Sequence, residues 1–134
     1  MIIRATIATL LALSLSTAAL AAEPARTGET AKGPTLTNEQ GMTLYTFDKD
    51  GGGKSVCNGP CAANWPPFTA AADAQASGSY SVVIRDDGSR QWAYNGRPLY
   101  TWTKDAKPGD ITGDGFLNGA WRIAQPQAAR LDLR

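Results

Sequence analysis

The ten residues GMTLYTFDKD at 41–50 return as GRPLYTWTKD at 96–105. Six of the positions are identical, and Phe47 becomes Trp102, which keeps the aromatic character of a seventh. Each copy is followed by a Gly- and Asp-rich stretch, then Asn-Gly (Asn58-Gly59, Asn118-Gly119), then a tryptophan (Trp65, Trp121). A unit of about 45 residues cannot bury a core alone, so the two copies are expected to pack on each other.

Read as a strand, each copy alternates. Tyr45 and Phe47 share one face, as do Tyr100 and Trp102; Leu44 and Thr46 share the other, as do Leu99 and Thr101. Gly41 and Gly96 suit the positive-φ position that ends a hairpin turn. Asp50 and Asp105 fall where the strand gives way to a loop, and a carboxylate there can accept backbone N–H bonds and fix the turn. The motif residues Tyr45, Asp50, Tyr100 and Asp105 therefore read as strand anchors, with rings that pack and acids that tie the exit loop.

The rest of the chain has the same β texture. Ser79–Arg85 is rich in β-branched residues, Asp86–Ser89 is turn-like, Arg90–Tyr94 is a further run, and Asn95-Gly96 is a strong hairpin signal before Arg97–Thr103. Thr35–Thr37 and Gly119–Ala124 are the expected opening and closing strands. Helical candidates are confined to Cys61–Asn64 and Ala70–Ala76. The expected fold is a small, mainly β single domain of antiparallel strands, covering 35–128, with pseudo-repeats at about 35–78 and 79–128. Residues 23–34 (EPARTGETAKGP) lack hydrophobic periodicity and read as a flexible arm.

The N-terminus reads as a signal peptide over 1–22. Arg4 supplies a positive start, Ile7–Leu15 an apolar run, and Ala19-Leu20-Ala21 a small-residue cleavage site. The stretch is short and Thr/Ser-diluted for a membrane span. The first cysteine is Cys57, so no lipid attachment is expected at the cleavage site and no stable membrane anchor after it. A periplasmic or secreted location follows. Cleavage removes one of the 13 bases and none of the 12 acids, leaving a neutral chain with no electrostatic reason to bind nucleic acid. In an oxidising compartment Cys57 and Cys61 are expected to form a disulfide across Asn58-Gly59-Pro60. A redox-active pair or two-thiolate metal site is the alternative.

Several motifs converge on one resemblance. Tyr-x4-Asp occurs as YTFDKD and YTWTKD. Beside it stand C-x3-C-A-A-N-W-P-P, the D-G-x-R-Q-W-x-Y-N-G-x-P-L-Y run from Asp87 to Tyr100, and a K-P-G-D loop at 107–110. The combination resembles the bacterial secreted-repeat family with the Tyr-x4-Asp motif, often labelled predicted lipoproteins, over roughly residues 35–125. The resemblance implies an exported, β-rich, cell-envelope domain and transfers no catalytic residues. This chain lacks the lipidation cysteine of the lipoprotein members.

Histidine is absent, which removes Ser-His-Asp and Cys-His catalysis. A carboxylate pair, Asp50 and Asp105, is the remaining route to an enzyme; the expectation is no enzyme and no catalytic residue. Calcium is a weaker alternative. Asp48 and Asp50 sit in one oxygen-rich loop and Asp110 and Asp114 in another, but Trp121 occupies the position where a calcium loop needs a bidentate Glu. No phosphate-binding or haem motif is present, so no cofactor is expected. The tryptophans Trp65, Trp92, Trp102 and Trp121 are expected to serve the core more than a binding platform. Asn95-Gly96 is expected to bring Trp92 and Tyr94 against Tyr100 and Trp102. The function expected is a non-enzymatic structural or partner-binding module, its partner an envelope protein or a small ligand.

Overall fold

A computed structural model describes residues 23–127; the expected signal peptide at 1–22 lies outside the described residues. The strands are β1 (Arg26–Thr30), β2 (Gly33–Thr37), β3 (Tyr45–Phe47), β4 (Tyr80–Ile84), β5 (Arg90–Tyr94), β6 (Arg97–Pro98) and β7 (Trp121–Ile123). Among the described residues there are two short helical elements. The first, α1 (Pro60–Asn64), starts on a proline and lies between the disulfide turn and Trp65. The second, α2 (Phe116–Gly119), is a single turn outside the expected helical segments, in which Leu117 and Asn118 hold left-handed backbone. Cys57 and Cys61 are bonded, with Cα atoms 5.2 Å apart. The fold is mainly β, and all strand pairs are antiparallel.

Each repeat opens with a hairpin, β1–β2 in the first and β4–β5 in the second. The segment 23–34 is therefore not an arm. Its residues 26–30 pair along β2, and Ala25 is buried beside Leu36. The segment hides this because β1 is an outer strand with mostly exposed or half-exposed side chains. Gly28 is needed there, since a Cβ would meet the Thr37 methyl at 2.9 Å.

The repeats exchange their final strands. In the first junction, Leu36 N–H donates to Ala124 O, Ala124 N–H to Leu44 O, and Leu44 N–H to Leu36 O, at 2.7–2.9 Å. The second junction repeats this ring of three bonds: Trp92 to Phe68, Phe68 to Leu99, and Leu99 to Trp92, at 2.8–2.9 Å. Two members of each ring come from one repeat and the third from the other. Between the junctions, Tyr45 and Tyr100 form a reciprocal antiparallel bridge, N–H to O at 2.8 and 3.0 Å. Exchanging the repeats maps each of these contacts onto its counterpart, so an approximate two-fold axis passes between the two tyrosines.

The alternation along the repeat divides the core in two. Leu44 and Leu99 join Leu36, Tyr80 and Ala124 on one side. Tyr45, Phe47, Tyr100 and Trp102 join Trp65, Trp121 and Ile123 on the other. There four rings stack in the order Trp102, Trp65, Trp121, Phe47, with centroids 4.0, 3.8 and 4.2 Å apart. Tyr45 meets Trp65 edge-on and Tyr100 meets Trp121 edge-on. Such pairs add about 0.5–1.5 kcal/mol each beyond burial. The central Trp65–Trp121 contact crosses the two-fold. Gly113 runs against this stack so closely that a Cβ would lie 2.5 Å from Trp65.

Two local expectations are corrected. Ala70–Ala76 forms a turn and extended chain instead of a helix. Ala70 N–H donates to Arg90 O and the Arg90 guanidinium to Ala74 O, so β5 holds the segment open. Trp92 and Tyr94 pack on Tyr80, away from Tyr100 and Trp102. The two-residue Asn95-Gly96 turn, with both residues at positive φ, pairs Tyr94 with Arg97 and thereby Trp92 with Leu99. Opposed residues share a face, so Tyr100 faces the other way.

Cutting the chain in the 70–79 loop should leave two fragments that are unfolded alone and fold when mixed, because each lacks the third strand of its own junction. Near-ultraviolet circular dichroism of the separate and mixed fragments checks this; a cooperative melt from either fragment alone contradicts it.

Candidate functional site

The four motif residues do meet, and they meet crosswise. Tyr45 Oη donates to Asp105 Oδ2 at 2.6 Å, and Tyr100 Oη donates to Asp50 Oδ2 at 2.5 Å. Each tyrosine thus bonds the aspartate of the other repeat. The second oxygen of each carboxylate ties its own loop, as anchoring predicts. Asp50 Oδ1 accepts Val56 N–H at 2.8 Å, and Asp105 Oδ1 accepts Thr112 N–H at 3.0 Å and Thr112 Oγ1 at 2.6 Å. Both tyrosines are fully buried and Asp105 is nearly so. The aspartates lie on opposite sides of the two-fold, on different tyrosines.

The spacing of four residues has a local cause. After β3 the chain turns at Phe47–Asp50, with Asp50 N–H bonded to Phe47 O; Asp105 N–H repeats this to Trp102 O. In an antiparallel pair, the chain leaving Tyr45 runs beside the residues that precede Tyr100. The turn therefore delivers Asp50 to Tyr100, and its counterpart delivers Asp105 to Tyr45.

Around Asp50 the two-fold breaks down. Tyr100 Oη also bonds Ser55 Oγ at 2.6 Å. The buried Arg85 donates Nη1 to Ser55 Oγ and Gln91 Oε1, and Nη2 to Cys57 O at 2.6 Å. Gln91 completes the chain with Nε2 to Leu99 O at 2.7 Å. Burial raises the Asp50 carboxyl above the ordinary carboxylate range, against the opposing bonds from Tyr100 and Val56 and the nearby Arg85 charge. Burial followed by the facing carboxylate pushes the Tyr45 and Tyr100 phenols well above their usual range, and burial raises Tyr80 to about 12. Sequence reading missed Ser55, Arg85, Gln91 and Thr112. Gln91 had a signal: the Asn95-Gly96 register puts it opposite Tyr100, facing inward.

The calcium candidates are occupied by protein donors. Asp48 pairs with Arg122, Asp50 is bonded as above, Asp110 Oδ2 accepts the Ala106 and Lys107 amides, and Asp114 bonds Ile123 N–H and Lys32 Nζ. Among the described residues, no three His, Cys, Asp or Glu side chains converge as a metal site. Also among the described residues, no helix is long and apolar enough to cross a membrane.

Trp65, Trp102 and Trp121 are core, whereas Trp92 is half-buried. Trp92 stands between two hollows. One, about 630 Å³, is lined by Leu36, Tyr80 and Tyr94; the other, about 500 Å³, by Phe68, Pro67 and Gln40.

Double-mutant cycles should find coupling of about 1–3 kcal/mol between Tyr45→Phe and Asp105→Ala, and between Tyr100→Phe and Asp50→Ala. Tyr45 with Asp50 and Tyr100 with Asp105, the pairs within each motif, should be additive within about 0.5 kcal/mol. Denaturant titrations of the single and double variants check this; the reverse pattern contradicts the crossing.

Stability should also depend on pH with a fixed sign. The tyrosines are raised in the fold, so their contribution is complete below the ordinary phenol value of about 10 and is lost as pH rises through the folded values. For Asp50, raised above about 3.9, the contribution is present at lower pH and lost as pH climbs through its folded value. Tyrosinate absorbance should therefore show a group that ionises only with alkaline unfolding, and Asp50→Asn should flatten the acid-side slope.

No curated protein and no solved structure matches the chain. A family model described as a secreted repeat of unknown function matches it twice, over residues 26–69 and 81–125, and the chain belongs to that family.

Proposed function

We propose that the domain is a non-enzymatic module of the cell envelope, working in the periplasm or outside the cell, whose motif residues tie the two repeats together and whose partner-binding surface is the trough around Trp92. The observation that carries this reading is the double engagement of Asp50 and Asp105. One oxygen of each holds its own loop, and the other holds the opposite repeat's tyrosine. A general acid or base needs a free edge toward substrate; these carboxylates are turned inward to phenols. The family's description as secreted and the signal-like N-terminus support export.

The trough suits a ligand with an apolar face. Trp92, Tyr80 and Tyr94 offer ring surface, and Gln75, Ser77 and Ser79 offer polar contacts on the rim. An envelope protein segment or a small ligand of mixed polarity fits that lining. Capture from envelope extracts by the parent protein and by a Trp92→Ala variant of equal melting temperature tests the reading. Partners held by the parent and lost by the variant support the trough. The same partners held equally by both would remove it as the binding surface.

A further inference from the structure

Three of the four stacked rings are indoles, and two phenols touch the inner pair. Trp102, Trp65 and Trp121 form an unbroken series at 4.0 and 3.8 Å. Tyr45 lies edge-on to Trp65 at 5.2 Å, and Tyr100 edge-on to Trp121 at 5.0 Å. Each phenol already donates its proton to a carboxylate, at 2.6 and 2.5 Å. An indole gives up an electron readily as a radical cation. A phenol gives one up readily only when a base takes its proton at the same time. The geometry supplies that base at both tyrosines.

Two further features favour movement of charge toward the tyrosines. Trp121 Nε1 is buried and has no hydrogen-bond partner among the described residues. An oxidised Trp121 therefore has no acceptor for its N–H proton and cannot settle as a neutral radical. The ends of the stack also differ. Phe47 closes one end, and a benzene ring resists oxidation. Trp102 occupies the matching place at the other, under the half-exposed Phe116 at 5.2 Å.

We propose that the ring stack is a one-electron relay that quenches small oxidising radicals of the peroxyl class at the Trp102 end and stores the oxidation as a tyrosyl radical at Tyr45 or Tyr100. The peroxyl radical takes one electron from Trp102 and one proton from solvent, and becomes a hydroperoxide. Trp65 refills Trp102, and Tyr45 refills Trp65 while its phenolic proton passes to Asp105 Oδ2. The products are a hydroperoxide, a neutral tyrosyl radical and a protonated Asp105. Through Trp121 the same vacancy reaches Tyr100, with Asp50 taking the proton. A hydrogen-atom donor of the thiol or quinol class restores the phenol: its electron and proton convert the radical back to the O–H, and the aspartate releases its proton to solvent.

The test uses azide radicals, which oxidise indoles and, more slowly, phenols, on the folded protein carrying Trp92→Phe and Tyr94→Phe, so that the half-exposed indole and phenol outside the stack do not compete. Indolyl and tyrosyl absorptions are followed in time. The indolyl signal should convert to tyrosyl at a rate independent of protein concentration and slower in heavy water. Trp102→Phe gives the second repeat the ring the first holds at 47, so it should fold, and it should cut the tyrosyl yield several-fold. Tyr45→Phe with Tyr100→Phe should leave the indolyl signal long-lived. An unchanged yield in Trp102→Phe, or a persisting tyrosyl signal in the double tyrosine variant, overturns the proposal. A purely packing role for these rings would move none of these readouts.

Discussion

The exchange of hydrogen bonds between the two Tyr-x4-Asp motifs is the constraint on which the remaining contacts depend. A buried phenol hydroxyl without a partner costs about 1–3 kcal/mol. In this fold neither tyrosine is satisfied by the aspartate of its own repeat. Each repeat therefore carries an unmet donor and an unmet acceptor that only the other can complete. The backbone imposes the same condition, because each three-bond junction lacks one member until the opposite repeat supplies its final strand. Side chains and main chain thus require the same two-fold arrangement, and Trp65 on Trp121 fills the space at its axis. Agreement between these levels is what gives a small domain one structure instead of several.

The symmetry is incomplete where the chain treats its two carboxylates differently. Asp105 is held by Tyr45 and by two bonds from Thr112. Asp50 opens onto a longer polar chain that buries Arg85, a cation with its donors on Ser55, Gln91 and the Cys57 carbonyl. Burying a charge is tolerable only when it is hydrogen-bonded and countered. The disulfide turn supplies the Cys57 carbonyl, and Asp50 supplies the nearby negative charge. The Cys57–Cys61 bridge thus has a role beyond restricting the unfolded chain, since it positions an acceptor for Arg85.

Much of this was legible in the chain. The repeat announced two packed copies, alternation sorted Tyr45 and Tyr100 from Leu44 and Leu99, and Asp50 and Asp105 were recognisable as loop ties. Crossing was not legible, because a tyrosine and an aspartate five positions apart suggest a local pair. Only the antiparallel bridge between Tyr45 and Tyr100 shows that each strand exit lies beside the other's tyrosine. Strand β1 escaped because an outer strand of Thr, Gly and Glu needs no apolar face of its own. The alanine-rich run at 70–76 escaped for the opposite reason, since its helical propensity yields to bonds from Arg90 in β5. The position of Trp92 was within reach: the two-residue turn at Asn95-Gly96 dictates its register with Leu99.

The Phe47/Trp102 difference follows from what the two ends of the stack adjoin. A core needing only volume could use the same ring at both repeat-related positions. Phe47 stacks on Trp121 in β7, where strand pairing already fixes the partner ring. Trp102 instead meets Trp65, which follows α1 outside any strand, and Phe116, whose neighbours Leu117 and Asn118 hold left-handed backbone. A wider ring spans that less regular end and contacts both neighbours at once. The larger side chain thus stands where the backbone gives the least support, while Gly113 leaves room for it by bringing bare backbone against Trp65 and Trp102.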